Sequence, residues 1–570
     1  MYHLKKLQSC NSLTDLSLLL GFKPPALSYI LYIKPSHSKY TEFPVPKRNG
    51  GDRLILAPSQ DLKLLQSRLS ELLQDCIDEL NKEKGIKRSI YHGFRRNQSI
   101  ITNANNHKNK KHVFNIDIED FFGQINFGRV RGFFIKNKNF SLTPKISTII
   151  AQIACYNNKL PQGSPCSPVI SNLIAHALDI KLAKLAQNCS ATYSRYADDL
   201  TFSSNKADFP TEIAYNVKKN NHNWDIGKEL RSIIQNSGFS INEKKTRMQY
   251  FKSRQDVTGL VTNKSINTKS EYWRTARAMV NQLVISGDYY IKSNYQDGSG
   301  KTYTRSIKGT KRKLNGILSH IDSIEKFKKQ KKELNFRELN GKELTYQKFL
   351  YYNLFASNIK PIIICEGKTD SIYLKYAIRR IGSKFPKLGK TIKGKGTQPS
   401  INFLKYSKNT DRLLGLAGGT ADLNTFISNY EKKTYGFTKQ FCKQPVIILV
   451  DNDKGSNSTF STVKKIGKYK TNVDGTDLFY HITENLYLVA IPRLKNSETD
   501  IEDFFDHKLL LTKIAGKSFN KSNKSTDSEY GKYIFAKKVV QPNWKNINFN
   551  NFDSILSRIE EAIRHYHLKS

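Results

Sequence analysis

The sequence predicts a multidomain chain of mixed α/β and α+β class, with short strands among helices in its first half and a parallel sheet in its second. Three observations predict it. At 570 residues the chain is too long for one hydrophobic core. From Val113 to about residue 265, short apolar runs alternate with stretches of helical periodicity. At Pro361 the pattern changes to buried strand, turn and helix, repeated, as a parallel sheet requires.

Residues 1 to about 110 read as mostly helical, interrupted by FPVPKRNGGDRLILAP, whose paired glycines among charges mark a hairpin tip. LKLLQSRLSELLQDCIDELNKE keeps apolar residues at helical spacing. VFNIDIEDFF reads as a buried strand carrying Asp117, followed by Asp120 and two phenylalanines. TYSRYADDLTFSS reads as strand, tight turn and strand, with Asp198 and Asp199 at the tip. SNYQDGSGKTYTRS is expected to be a loop, and the Lys-rich IEKFKKQKKELNFRELNGKEL a connector. The last 60 residues, rich in Lys, Asn and Ser, show no clear pattern, and no internal repeat is evident.

Charge narrows the function. Ninety-three Lys and Arg face 49 Asp and Glu, a formal excess of +44. Such a surplus repels itself unless a polyanion neutralises it, and phosphate backbones are the usual one. A membrane-surface protein would pair its basic charge with an apolar amphipathic stretch, and none is found. The seven cysteines include no CxxC and no histidine partner at zinc spacing, which argues for reduced thiols. With no signal peptide and no apolar run long enough to span a bilayer, a cytoplasmic protein without a membrane partner is expected.

Adjacent carboxylates on a hairpin repel, and a pair of magnesium ions would offset that cost. Ions held by oxygens from two facing strands activate a primer hydroxyl and steady a triphosphate leaving group. A solvated Asp-Asp turn is the alternative, and the dipeptide alone would be weak. It is not alone: Asp117 with Phe122, LPQGSPCSPVISNL around Gln162 and Gly163, Tyr196-Ala197-Asp198-Asp199, and SGFSINEKKTR with Lys245 occur in that order. Together they resemble the reverse transcriptases. The resemblance implies a right-hand fold of fingers, palm and thumb, with Asp117, Asp198 and Asp199 as catalytic ligands of two Mg2+ ions. It places Gln162 and Gly163 beneath the templating pair and Lys245 near the triphosphate. Phe122 would press on the sugar's 2′ position and favour deoxynucleotides, whereas Phe121 reads as core. Arg53 is placed to hold the incoming triphosphate. Lys47 could help, and either residue could instead be an ordinary surface charge.

Asn103-Ala104-x-x-His107 and Val257-Thr258-Gly259 resemble signatures of the retron reverse transcriptases of bacteria. That resemblance, over roughly residues 10–315, implies a cognate noncoding RNA (msr-msd) and priming from a guanosine 2′-hydroxyl. The product would be branched multicopy single-stranded DNA (msDNA) built from dNTPs. Asn103, His107, Val257, Thr258 and Gly259 are accordingly expected at the nucleic acid, although His107 could simply cap a loop. No ribonuclease H pattern is evident, so a host RNase H would remove RNA.

KPIIICEGKTDSIYL puts Glu366 at a strand's carboxyl end with Gly367 in the turn, and QPVIILVDNDKGSN repeats the geometry with Asp451 and Asp453. In parallel sheets such strand ends line the ligand crevice. LAGGTADL supplies two glycines and a threonine placed to cap a helix facing phosphate. The EG and DxD pattern resembles the TOPRIM domains of primases, topoisomerases and certain nucleases. It implies catalytic Glu366, Asp451 and Asp453 binding Mg2+ or Mn2+, with Asp370 completing the site. Glu502 and Asp503 resemble a late acidic element of the nuclease branch, and Lys532 could neutralise a developing phosphorane; against these stands a reading of each as a solvated charge.

The expected division is fingers and palm over 1–250, thumb over 251–320, basic connector over 321–358, TOPRIM over 359–510 and its C-terminal extension over 511–570. The whole resembles a retron polymerase fused to a TOPRIM effector of antiphage defence, its toxicity restrained by msDNA. Oligomeric state is left open. Two rivals are a primase–polymerase of DNA repair and a TOPRIM half that only binds and assembles msDNA.

Overall fold

The computed structural model describes residues 2–47, 51–86, 89–217, 223–296, 302–333, 335–437, 442–494, 497–521 and 526–569. The chain divides into two compact units, one up to Lys269 and one from Ser270 onward. The division falls inside the stretch 251–320 that the sequence keeps together.

In the first unit, β1 (Tyr40–Pro46) and β2 (Asp52–Pro58) form the expected antiparallel hairpin, with Arg48, Asn49 and Gly50 of its tip outside the described residues. Helix α1 (Gln60–Glu83) buries Leu62, Leu65, Leu69, Leu72, Leu73 and Cys76, the stripe its periodicity anticipates. Helix α2 (Ile100–Asn106) precedes β3 (His112–Asp117), and α3 (Ser167–Asn188) precedes the hairpin of β4 (Thr192–Tyr196) and β5 (Asp199–Ser204). With β6 (Arg247–Tyr250) these make a four-stranded antiparallel sheet in the order β4-β5-β3-β6. A two-residue turn at Thr258 and Gly259 joins β7 (Asp256–Val257) to β8 (Leu260–Val261).

In the second unit, the segment expected to be a loop is instead an antiparallel hairpin of β9 (Tyr290–Gln296) and β10 (Thr302–Lys308). Residues 297–301 of that stretch lie outside the described residues; its Lys, Ser, Thr and Asn masked the strands, which pair Ile291 with Ile307. The segment expected to be a basic connector is likewise folded. Helices α4 (Lys311–Lys331) and α5 (Gly341–Tyr351) bury Leu314, Leu318, Ile321, Tyr346 and Phe349 in one apolar cluster. Their lysines hide an apolar stripe at helical spacing.

The second unit's main sheet contains β11 (Ile362–Cys365), followed by helix α6 (Asp370–Ile381). A small hairpin of β12 (Gly389–Ile392) and β13 (Gly396–Pro399) lies between α6 and edge strand β14 (Asn402–Phe403). Helix α7 (Thr420–Thr434) precedes β15 (Val446–Val450), and β16 (Tyr480–Thr483) turns into β17 (Leu486–Ala490). The order is β14-β11-β15-β17-β16, parallel throughout except for β16 against β17.

Alternation along these strands makes two buried faces. Ile362, Ile364, Val446, Ile448 and Val450 face the cluster that includes α4, α5 and α7. Ile363, Cys365, Ile447 and Leu449 face α6 and the C-terminal helix α8 (Asp553–Lys569), which buries Ile555, Leu556, Ile559 and Ile563. The chain's last 60 residues thus close the second face of the sheet.

Candidate active site and a second acidic centre

Asp117 ends β3 and Asp199 begins β5, and the two are register partners. Asp198 sits in the turn between, its carbonyl accepting from Ile118 N–H at 3.0 Å. Ala197 takes φ 57°, the left-handed region a two-residue hairpin demands. Burial pushes the Asp199 carboxyl up to about 7, with the charges of Asp198 and Asp117 adding to it. Asp198 is raised by burial and by Asp117. Lys245 Nζ lies 2.9 Å from both Asp117 oxygens. Burial works to lower the ammonium's pKa, but the contact with Asp117 and the charges of Asp117, Asp198 and Asp199 together raise it.

A cleft of about 790 Å³ opens over Asp117 and Asp198, and Lys47, Arg53, Phe122, Gln162 and Lys245 line it. The Gln162 carbonyl accepts from Leu56 N–H at 2.8 Å. Gly163 takes φ +129°, and a Cβ there would lie 2.4 Å from the Leu56 carbonyl oxygen. Glycine lets this segment lie against β2, which carries Arg53. Phe121 is buried as core, whereas Phe122 faces the cleft 6.3 Å from the ring of Phe94.

The donor set suits a hard divalent cation: carboxylates clustered closely enough that their charges raise one another's pKa. Among the described residues no three His, Cys, Asp or Glu side chains form a finished cage. A cation at Asp117 would displace Lys245 from its oxygens. Asp117, Asp198 and Asp199 would hold the ions, which supply Lewis acidity toward a triphosphate when bound.

Two signature motifs are not where they were expected. Asn103 and His107 are fully buried, so neither reaches a nucleic acid. His107 Nδ1 and Nε2 each lie 2.7 Å from a hydroxyl, of Ser203 on β5 and Ser194 on β4, and Ser194 donates to Asn103 at 2.6 Å. Burial pushes the imidazole pKa down to about 3, with Lys110 adding to it. Val257 is also buried, and Thr258 donates to the Ile100 carbonyl at 3.1 Å. Only Gly259 of these five is exposed. The motifs brace α2 and the β7–β8 turn against the sheet.

Other residues carry the site unannounced. Arg195 is fully buried and donates to Asp179 twice, to Asn172 Oδ1 and to the Ala197 carbonyl. A Cβ on Gly93 would lie 2.5 Å from Ala197 N, so the chain before Phe94 touches the turn. The signal was an arginine inside the apolar strand TYSRY and an aspartate inside the apolar helix of SPVISNLIAHALDIKL.

The second centre gathers at the carboxyl ends of β11 and β15. Asp451 N–H donates to Glu366 Oε2 at 3.4 Å, and Gly367 N–H donates to Asp370 Oδ2 at 2.7 Å. Burial, then Asp453 and Asp370, push Glu366 up to about 7, against the Asp451 N–H. Burial, then Asp370 and Glu366, push Asp451 up to about 9. Asp370 is raised by burial, as is Glu502, which is fully buried rather than solvated. Lys532 Nζ lies 3.0 Å from Glu502, and its charge bears on Glu366, Asp370 and Asp451. Asp453 and Asp503 spend an oxygen on backbone, Ser456 N–H at 3.0 Å and Asp500 N–H at 2.9 Å. Asp503 also pairs with Lys521. Thr420 does not cap α7; Gly419 does, and its N–H donates to the Glu366 carbonyl at 3.1 Å.

Carboxylates at antiparallel strand ends beneath a basic cleft define a nucleotidyl-transfer site. The family model described as reverse transcriptase (RNA-dependent DNA polymerase) matches residues 45–275. The Retron Ec86 reverse transcriptase of Escherichia coli is 33% identical over 276 residues, 48% of this chain and 78% of that protein. The Retron Mx65 reverse transcriptase of Myxococcus xanthus is 30% identical over 304 residues, 50% of this chain and 66% of that protein. A telomerase structure from Candida albicans aligns over 43% of this chain and 50% of its own, at 10% identity and a TM-score of 0.30, too slight to carry an argument. The chain belongs to the retron reverse transcriptases. Among its described residues no single helix is long and apolar enough to cross a membrane.

Proposed function

We propose that the first unit synthesises msDNA on a cognate noncoding RNA, from a guanosine 2′-hydroxyl and dNTPs, and that the second is a TOPRIM nuclease. In this reading Arg53 and Lys245 hold the incoming triphosphate, and Phe122 excludes the ribose hydroxyl. Gln162 and Gly163 support the templating pair. A host RNase H trims the RNA, and bound msDNA restrains the nuclease until phage infection disturbs it.

The observation that supports the second half is the meeting of Glu366, Asp370 and Asp451 at adjacent parallel strand ends, with Lys532 beside them. These acids would hold Mg2+ or Mn2+, which supplies a nucleophilic water when bound. The chain's own part is to hold the buried and half-buried acids together and place the Lys532 ammonium where charge builds on a phosphate.

Two substitutions test the halves separately. Asp198→Asn should abolish DNA synthesis, while Glu366→Ala should leave synthesis intact and remove toxicity in cells. A fully toxic Glu366→Ala protein would sink the effector assignment.

A further inference from the structure

Between Asp370 and Asp411 lie forty residues with ten Lys and Arg and no Asp or Glu. They fold as α6, the β12–β13 hairpin and edge strand β14. Lys390, Lys393 and Lys395 on the hairpin are exposed and make no ion pair with a described residue.

The hairpin is no loose tail. Arg379 on α6 donates to Gln398 at 3.4 Å, and a Cβ on Gly389 would lie 2.6 Å from the Gly382 carbonyl oxygen. Along α6, Lys375 and Arg379 share a face at i and i+4. Burial lowers the Lys375 pKa, and the charges of Arg379, Lys405 and Lys537 lower it further. Tyr406, next to Lys405, donates to the carbonyl of Cys365, the residue before Glu366. The helix begins at Asp370 in the acid centre and ends at the hairpin. Its twelve residues span about 18 Å, or roughly five phosphates of one strand.

We propose that the β12–β13 hairpin and the Lys375–Arg379 face of α6 dock the phosphate backbone of a nucleic-acid duplex and lay it toward Glu366, Asp370 and Asp451. This rests on reading those acids as a strand-cleaving centre. A duplex is favoured over a single strand because the hairpin's exposed side chains are Lys, Thr and Ile392, with no ring for base stacking. A two-stranded ribbon also fits a major groove, and a Cβ on Gly394 or Gly396 would meet nothing within 4 Å, so the tip stands clear of neighbouring side chains.

The test uses the full chain and a 20-base-pair DNA duplex with blocked ends. Its dissociation constant is measured in EDTA by anisotropy across a salt series. Replacing Lys390, Lys393 and Lys395 with Gln should reduce the slope of log Kd against log salt by about 2–3, since each phosphate contact contributes about 0.9. Arg at all three positions should keep the slope, and primer extension should be unchanged in both variants. An unchanged slope in the Gln variant, or a change confined to a single-stranded probe, overturns the proposal. If the hairpin governs duplex binding but wild-type protein cuts nothing with manganese, docking stands and the nuclease reading falls. If the Gln variant binds and cuts like wild type, docking falls and the nuclease reading stands.

Discussion

Arg195 and Asp179 share two hydrogen bonds, Nε to Oδ1 at 2.8 Å and Nη2 to Oδ2 at 2.7 Å, with both side chains fully shielded from water. Arg195 also holds the Ala197 carbonyl at 3.1 Å, in the turn that carries Asp198. Removing one member of a buried pair costs about 3–5 kcal/mol because the other charge is stranded. Asp179→Asn should therefore lower the melting temperature and reduce kcat more than it raises the KM for dNTP. Arg195→Lys should not rescue, since an ammonium cannot fork to both oxygens and still reach Ala197. Melting curves beside steady-state primer extension decide it; wild-type values for Asp179→Asn would show the turn is held otherwise.

His107 should act on stability and not on RNA contact. Its folded pKa is pushed down to about 3 by burial, while an unfolded imidazole titrates near 6.5. Between those values the unfolded state binds more protons, so stability falls as pH drops from about 6.5 toward 3, at up to about 1.4 kcal/mol per unit. His92, pushed down to about 4 by burial, adds to the same slope. His107→Gln should flatten the pH dependence of chemical denaturation. It should leave the salt dependence of RNA binding by the folded fraction unchanged; a changed salt slope would return His107 to the nucleic acid.

Gly163→Ala should act at the end of the cleft proposed to hold the triphosphate. Its Cβ would meet the Leu56 carbonyl oxygen at 2.4 Å, in a backbone conformation that disfavours side chains. Relief requires β2 to retreat and Arg53 to retreat with it. An overpacking cost of roughly 1–3 kcal/mol corresponds to a rise in the KM for dNTP of about 5- to 150-fold. Single-nucleotide incorporation kinetics measure it, and an unchanged KM would uncouple the Gln162–Gly163 segment from the triphosphate.

The acids were legible because chemistry fixes their type and order: Asp117, Asp198 and Asp199 meet as spacing and resemblance required. So were the parallel strands, whose uninterrupted apolar runs have few other uses. What escaped was polar residues with buried roles. Asn103 and His107 look like ligands in sequence because a histidine's partners, Ser194 and Ser203, lie some ninety residues away. The lysines of α4 drew attention from Leu314, Leu318 and Ile321 between them. Glu502 read as solvated because only the fold brings Lys532 within 3.0 Å of it.

The segment read as a connector is instead tied into the second unit through Arg412, and this too can be tested. Its guanidinium, 6% exposed, donates to Glu343 on α5 at 2.6 Å and to Asp322 on α4. Lys329 joins Glu343 from α4 at 2.8 Å. Arg412 lies just before Gly415–Gly419, and the Gly419 N–H reaches the Glu366 carbonyl. Arg412→Met leaves Asp322 with Lys326 at 3.2 Å and Glu343 with Lys329, a loss of about 1–3 kcal/mol for the hydrogen bonds removed. Faster hydrogen exchange is expected over residues 311–351 and 410–434, together with loss of the strand cleavage proposed for the second centre. Primer extension should persist, because the polymerase acids lie in the other compact unit. Unaltered exchange in Arg412→Met would mean that α4 and α5 are held by their apolar faces alone, and that the ion network is incidental to the second centre.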